Sequence, residues 1–393
     1  MARRARAAAR ALSPLLVVAA AASCSTGPAN RPDSGSAPPN KPDPGCALST
    51  LDGMGERAKA AQLFMAGIPA TGVPPADQAA LAHSAPGGVY FSGRAKSGAA
   101  DVARISADVQ KRGTAAAHGV QLFVGVDQEG GKVQPLAGPG FSTIPPATEQ
   151  GRWSPDQMRQ AATTWGRELR SAGVNVDLAP IADTLSPAVG KANPAIGKYD
   201  RAFSTDPAVV ASHVRAFVEG MRDAGVSTSA KHFPGLGAVR GNTDVQDHVV
   251  DDQATPNSPT MQPFEEAVRS GSPFVMSSSA TYPKIDPANR AVFSRTTLSG
   301  LLRDRLGFKG LIISDDLGQA KEVASVPLGQ RAVDFLAAGG DVVLTASPRT
   351  VDPMIDAVID RSHRDPQFAA RVSDAERQVL EAKTAHGLMP CGK

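Results

Sequence analysis

Three short apolar runs in this 393-residue chain end abruptly in side chains that can attack carbon or move protons. Val124-Gly125-Val126 runs into Asp127-Gln128-Glu129-Gly130-Gly131, Val226 to Ala230 runs into Lys231-His232-Phe233-Pro234-Gly235, and Leu311-Ile312-Ile313 runs into Ser314-Asp315-Asp316. Carboxylates act as nucleophiles, acids or bases, and histidine passes protons near neutral pH. Each piece also has an ordinary structural use. Ser314, Asp315 or Asp316 could cap a helix, Asp127 could close a turn before its two glycines, and Lys231 and His232 could form a polar cluster inside a barrel. Chemistry becomes the better reading if one fold delivers all three run ends to the same rim.

A fourth segment, from Phe233 to about Asp252, holds Pro234, Gly235, Gly237 and Gly241 and has neither helical nor strand periodicity. Structureless stretches of this length inside a compact domain are functional or disordered. This one carries His248, with Asp244 and Asp247 close by. An exposed loop histidine is inert by itself; a neighbouring carboxylate would favour its imidazolium and fix one tautomer, as a proton donor requires.

The elements that must position these groups can be read from the apolar pattern. Gln62 to Ile68, Gly88 to Phe91, Gln121 to Asp127, Val174 to Ala179, Val226 to His232, Pro273 to Ser278, Gly310 to Asp315 and Gly340 to Leu344 are short apolar runs bounded by Gly, Pro or polar residues. They read as eight strands. Amphipathic stretches such as Pro155 to Ala172, Pro207 to Ala224, Ser294 to Leu306 and Leu328 to Ala338 separate most of them and carry apolar residues at helical spacing. Alternating strand and helix, with strands apolar on both faces, means a parallel α/β sheet, and eight repeats favour a single (β/α)8 TIM-like barrel. No glycine-rich dinucleotide fingerprint follows the first strand, which disfavours an open Rossmann sheet.

The N-terminus reads as an export signal over residues 1–23: Arg3, Arg4, Arg6 and Arg10, then the apolar run Leu12 to Ala22, too short to span a bilayer. The run closes on Ala21-Ala22-Ser23-Cys24, small residues before a cysteine, so Cys24 is the expected lipidation site and the protein is expected outside the cytoplasm, anchored to the membrane. The alternative is plain secretion with cleavage at a nearby alanine. Losing the four arginines takes the formal charge from +3 to −1, and nothing then argues for nucleic acid as a partner. Residues 24–45 are rich in Pro, Ser, Gly, Asn and Asp and read as a tether. Cys46 and Cys391 bracket the remaining domain, 46–393, and an oxidising compartment would allow them to pair; the alternative is two separate thiols.

The collinear set Gly125 to Gly131, Asp177-Leu178-Ala179-Pro180-Ile181-Ala182-Asp183, Arg201-Ala202-Phe203-Ser204-Thr205-Asp206-Pro207, Lys231 to Gly235, and Leu306 to Gly310 leading to Ser314-Asp315-Asp316-Leu317 resembles the glycoside hydrolase family 3 β-N-acetylglucosaminidases. The likeness is to the NagZ-like single-domain branch, including its actinobacterial lipoprotein members, and extends from about Gln62 to Leu344.

The resemblance implies a retaining glycosidase in which Asp315 attacks the anomeric carbon, while Asp127, Arg201, Lys231 and His232 hold the hydroxyls of the terminal sugar. Retaining enzymes ordinarily pair two carboxylates. In this branch the acid is a histidine on the loop after the Lys-His-Phe-Pro-Gly motif, here His248. Asp247 is the expected orienting carboxylate and Asp244 the other candidate. Larger family members borrow a carboxylic acid from a second domain, and here it is expected from within the barrel.

No metal or cofactor is implied, and the expected substrate is N-acetylglucosamine-bearing glycan from peptidoglycan fragments. Three departures stand out. Gln246 occupies the place two before His248 where the family has Asp, Pro135 stands where relatives often have Arg, and Leu236 replaces a second histidine. They keep open a related β-glycosidase, a phosphorylase in which phosphate replaces water, and a sugar-binding lipoprotein without turnover.

Overall fold

A computed structural model describes residues 44–390. The expected export signal, Cys24, nearly all of the tether, and Cys391 lie outside the described residues. The first helix, Pro44–Gly53, takes in the last two residues of the expected tether. Cys46 is buried on it and disulfide-bonded. That helix packs against the last one, Pro366–Ala385, so the two ends of the domain are neighbours.

Among the described residues ten strands occur in chain order: β1 Phe64–Pro69, β2 Gly88–Ser92, β3 Phe123–Val126, β4 Val176–Asp177, β5 Ser227–Phe233, β6 Phe274–Ser277, β7 Thr281–Tyr282, β8 Asp286–Arg290, β9 Leu311–Ser314 and β10 Val343–Thr345. Eight of them form one parallel sheet in the order β10-β1-β2-β3-β4-β5-β6-β9. A parallel bridge between Ile313 and Val342 joins its two edges, which gives the (β/α)8 barrel. At that seam the buried Asp341 carboxylate accepts from Ile312 N–H at 2.8 Å and pairs with Arg303 and Arg371 from two surrounding helices. All eight apolar runs coincide with barrel strands. The antiparallel hairpin β7–β8 after β6 was not anticipated, because Asp286–Arg290 is polar and half-exposed and carries no strand pattern.

The helices begin where local chemistry dictates. Ser154 accepts from Gln157 N–H while the Gln157 side chain accepts from Ser154 N–H, a reciprocal cap with Pro155 at the first helical position. Asp206 likewise caps the helix Pro207–Asp223 through Ala208 N–H. The stretch Thr296–Arg305 is helical as the amphipathic pattern predicts, but wound as a π-helix. Buried Phe64, Phe91, Phe123 and Phe274 help fill the barrel core. A second, smaller apolar cluster, which includes Ile196, Leu236, Val239, Val249 and Tyr282, packs beneath the loops beyond β5.

Candidate active site

The C-terminal ends of the strands surround a cavity of about 600 Å³. Asp127, Arg201, Lys231, His232 and Asp315 all line it, so five of the seven expected catalytic and sugar-binding residues converge there. Glu129, Asp244 and Asp316 join them.

Asp127 and Glu129 lie two residues apart just past β3, a spacing that sends both side chains to one side of an extended chain. Gln128 between them is tied down: its amide donates to Leu136 C=O at 2.9 Å and accepts from Leu136 N–H at 3.1 Å. The chain then turns through Gly130 and Gly131, whose φ values of 101° and 55° favour glycine. Opposite, Lys231 Nζ lies 2.5 Å from Asp127 and 2.8 Å from Glu129. Arg201 grips both oxygens of Glu129 at 2.8 Å and gives a third bond to Ala195 C=O at 2.9 Å.

Burial by itself would raise the Glu129 pKa, yet Arg201 and Lys231 outweigh it and hold the carboxyl down at about 2. The Lys231 ammonium is held well above its ordinary range, because Asp127 and Glu129 outweigh the cost of its burial. Two anions thus face two cations. Beneath them burial pushes Asp177 up to about 8, so at neutral pH it is largely protonated and adds little charge. The result is a dense set of fixed donors and acceptors suited to the hydroxyls of one sugar ring.

Neighbouring residues of a regular strand point to opposite faces. The β5–β6 register slips between Lys231 and Phe233, and Lys231 and His232 both reach the cavity. His232 is oriented by Asp183, which meets its Nδ1 at 2.8 Å and its backbone N–H at 3.2 Å. A carboxylate only accepts, so Nδ1 carries the proton and Nε2 is left to the cavity.

Beyond β9, the two adjacent aspartates differ in their hydrogen bonds. Asp316 accepts from Gly318 N–H at 2.8 Å, Gln319 N–H at 3.1 Å and Ala346 N–H at 2.9 Å, which fixes the loop after β9 against that after β10. Among the described residues Asp315 accepts only from Asp316 N–H, at 2.9 Å, which leaves its second oxygen to the cavity. Burial pushes the Asp315 carboxyl up to about 6; the His232 imidazole opposes this, while Asp244 and Asp316 add to it. With Asp315 as the nucleophile that the family resemblance implies, the acidic limb of kcat/KM is expected near pH 6, with activity lost below it as the carboxylate takes a proton. Removing one of the charges that raise that pKa, in Asp244→Asn, should move the limb to lower pH. An unmoved or rising limb in a pH–rate profile would refute this electrostatic link.

This architecture matches known proteins over most of its length. The family model for the glycosyl hydrolase family 3 N-terminal domain matches residues 57–382. The chain belongs to glycoside hydrolase family 3. This family 3 chain is 34% identical over 309 residues to a β-hexosaminidase of Stenotrophomonas maltophilia strain K279a, covering 76% of this chain and 88% of that relative. It superposes on the crystal structure of a β-N-acetylhexosaminidase from Beutenbergia cavernae with a TM-score of 0.82 at 43% identity, over 84% of this chain and 98% of that one. A family 3 glycosyl hydrolase from Mycobacterium smegmatis gives a TM-score of 0.72 at 27% identity, over 85% and 98% of the two chains. The protein is a glycosidase.

In this family 3 enzyme the long loop after β5 is anchored rather than loose. Leu236 N–H donates to Asp183 at 2.7 Å, Tyr282 Oη donates to Gly235 C=O at 2.8 Å, and Asn193 donates to Leu236 C=O at 2.8 Å. At Gly237 a Cβ would meet Thr184 C=O at 1.7 Å, so only glycine allows this approach. Leu236, standing where relatives have a histidine, is buried in the small apolar cluster, and Pro135 lines the cavity.

The loop tip is arranged differently from the rest. Asp244, Val245, Gln246, Asp247 and His248 are exposed, and His248 adopts a left-handed backbone with φ 56°. Asp244 lines the cavity; Asp247 and His248 do not, and their side chains make no hydrogen bond or ion pair among the described residues. Sequence reasoning missed Glu129 and gave Asp183 no role. The Asp127-x-Glu129 alternation was a usable signal for the first. Nothing local marks the second, which sits 49 residues from His232.

Proposed function

We propose that this protein is a retaining exo-β-N-acetylglucosaminidase, with Asp315 as nucleophile and His248 as acid and base. The observation that carries the reading is the contrast at the end of β9: Asp316 is engaged by three backbone donors, while Asp315 faces the sugar-sized cavity with one oxygen free.

In the first step Asp315 bonds to the anomeric carbon as the glycosidic C–O bond breaks, and the His248 imidazolium gives its proton to the departing oxygen. In the second, His248 takes a proton from water, whose oxygen bonds to the anomeric carbon and frees Asp315. The exposed tip must swing over the bound glycan for this, and catalytic hydrogen bonds often form only with substrate present. The β-hexosaminidase names of the relatives support N-acetylglucosamine as the sugar.

The short apolar leader ending at Cys24 supports a lipid anchor on the outer side of the membrane, with peptidoglycan-derived fragments as the natural substrate and the tether giving reach. A test is to treat the protein with 4-nitrophenyl β-N-acetylglucosaminide and follow the anomer first released by NMR. A 5-fluoro glycosyl fluoride is then used to trap the intermediate. The β-anomer and a label on the Asp315 peptide are expected. An α-anomer, a label elsewhere, or sugar 1-phosphate formed when phosphate is added would overturn the assignment.

A further inference from the structure

The turn that follows the nucleophile also holds the loop that carries His248. Residues Lys321–Val323 form a short 3-10 turn. Lys321 N–H donates to Asp244 C=O at 3.1 Å and Glu322 N–H to Thr243 C=O at 3.0 Å, which pins the first foot of the exposed tip. The Glu322 side chain pins the second foot. It is 1% exposed, accepts Val249 N–H on one oxygen at 2.8 Å, and takes Arg290 Nε from strand β8 on the other at 2.8 Å. Val249 N–H belongs to the peptide directly after His248, so Glu322 anchors the foot about which the tip, and with it the imidazole, must turn toward the cavity.

A buried ion pair is a poor way to gain stability, since apolar residues of equal volume do as well or better. Its advantage is direction: a charged acceptor makes a stronger and more oriented bond to one chosen N–H than a neutral one. A left-handed non-glycine residue persists only where its surroundings over-determine it. At His248 the surroundings are this bond and the burial of the Val249 side chain among Leu236 and Tyr282. From this arrangement we infer that Glu322, held by Arg290, is a positioning residue for the proton donor. It ties the donor's loop to the segment that begins at Asp315. The inference rests on His248 being that donor.

The experiment exploits the fact that a good leaving group needs no proton. In Glu322→Ala, kcat/KM for N,N′-diacetylchitobiose should fall about 10- to 100-fold, while that for the 2,4-dinitrophenyl glycoside stays within about threefold. Glu322→Gln, which keeps one acceptor for Val249 N–H but gives up the Arg290 ion pair, should show the same substrate-selective loss at about three- to tenfold, and keeps the comparison available if the alanine variant fails to fold. In the double variant with His248→Ala, removing Glu322 should cost nothing further, because the group it positions is gone. Equal losses on both substrates, no loss on either, or losses that add in the double variant would overturn the positioning role. If His248→Ala alone shows no dependence on the leaving group, the donor assignment falls as well, and that result is read independently of Glu322.

Discussion

Asp315→Asn is expected to be inactive and yet more stable than the parent protein. Loss of the proposed nucleophile would remove the covalent route, and kcat/KM for 4-nitrophenyl β-N-acetylglucosaminide should drop by about 10⁴-fold or more. The fold has no need of the charge: asparagine Oδ1 can still accept Asp316 N–H, the one hydrogen bond this carboxylate receives among the described residues. The stability effect follows from the carboxyl being raised to about 6 in the fold against an ordinary value of 3.8. The folded state then binds the proton more tightly than the unfolded one, so the penalty is absent below the ordinary value and fully present above pH 6. Its size is on the order of 1–3 kcal/mol, with the lower end favoured because Asp315 faces a solvent-filled cavity. Urea titrations at pH 3.5 and pH 8 should show the variant gaining over the parent only at the higher pH. A variant that is inactive but equally stable at both would mean that the site stores no electrostatic strain at Asp315.

The second large effect belongs to His248. Proton donation to a leaving oxygen contributes typically 10²–10⁴-fold, so His248→Ala should lose about 10²-fold or more on chitobiose-like substrates. The 2,4-dinitrophenyl glycoside should react to the glycosyl-enzyme almost as fast as with the parent, after which hydrolysis stalls for lack of a base. Added azide, a nucleophile that needs no deprotonation, should then restore turnover and give a β-glycosyl azide. If the rescue appears in Asp244→Asn and not in His248→Ala, the acid and base is the carboxylate that lines the cavity, and the loop histidine has another use. Two features make this comparison worth performing. Asp244 lines the cavity while His248 stands outside its walls, and the Asp-x-His spacing of the family is interrupted by Gln246.

Much of this molecule could be read from its sequence. The eight barrel strands are legible because a strand buried on both faces must be apolar along its length. The rim residues Asp127, Lys231, His232 and Asp315 are legible because polar groups placed just after such runs can only stand at the strand ends. What sequence could not decide depends on partners distant along the chain. The contrast between an engaged Asp316 and a less engaged Asp315 rests on the backbone donor of Ala346, 30 residues from Asp316, and on the neighbouring turn. The pairing of Lys231 with Asp127 spans 104 residues and that of Val249 with Glu322 spans 73. Local pattern reports which face of an element is buried. Only the closed barrel fixes which buried charge meets which, and on that geometry the free oxygen of Asp315 and the placement of the His248 loop depend.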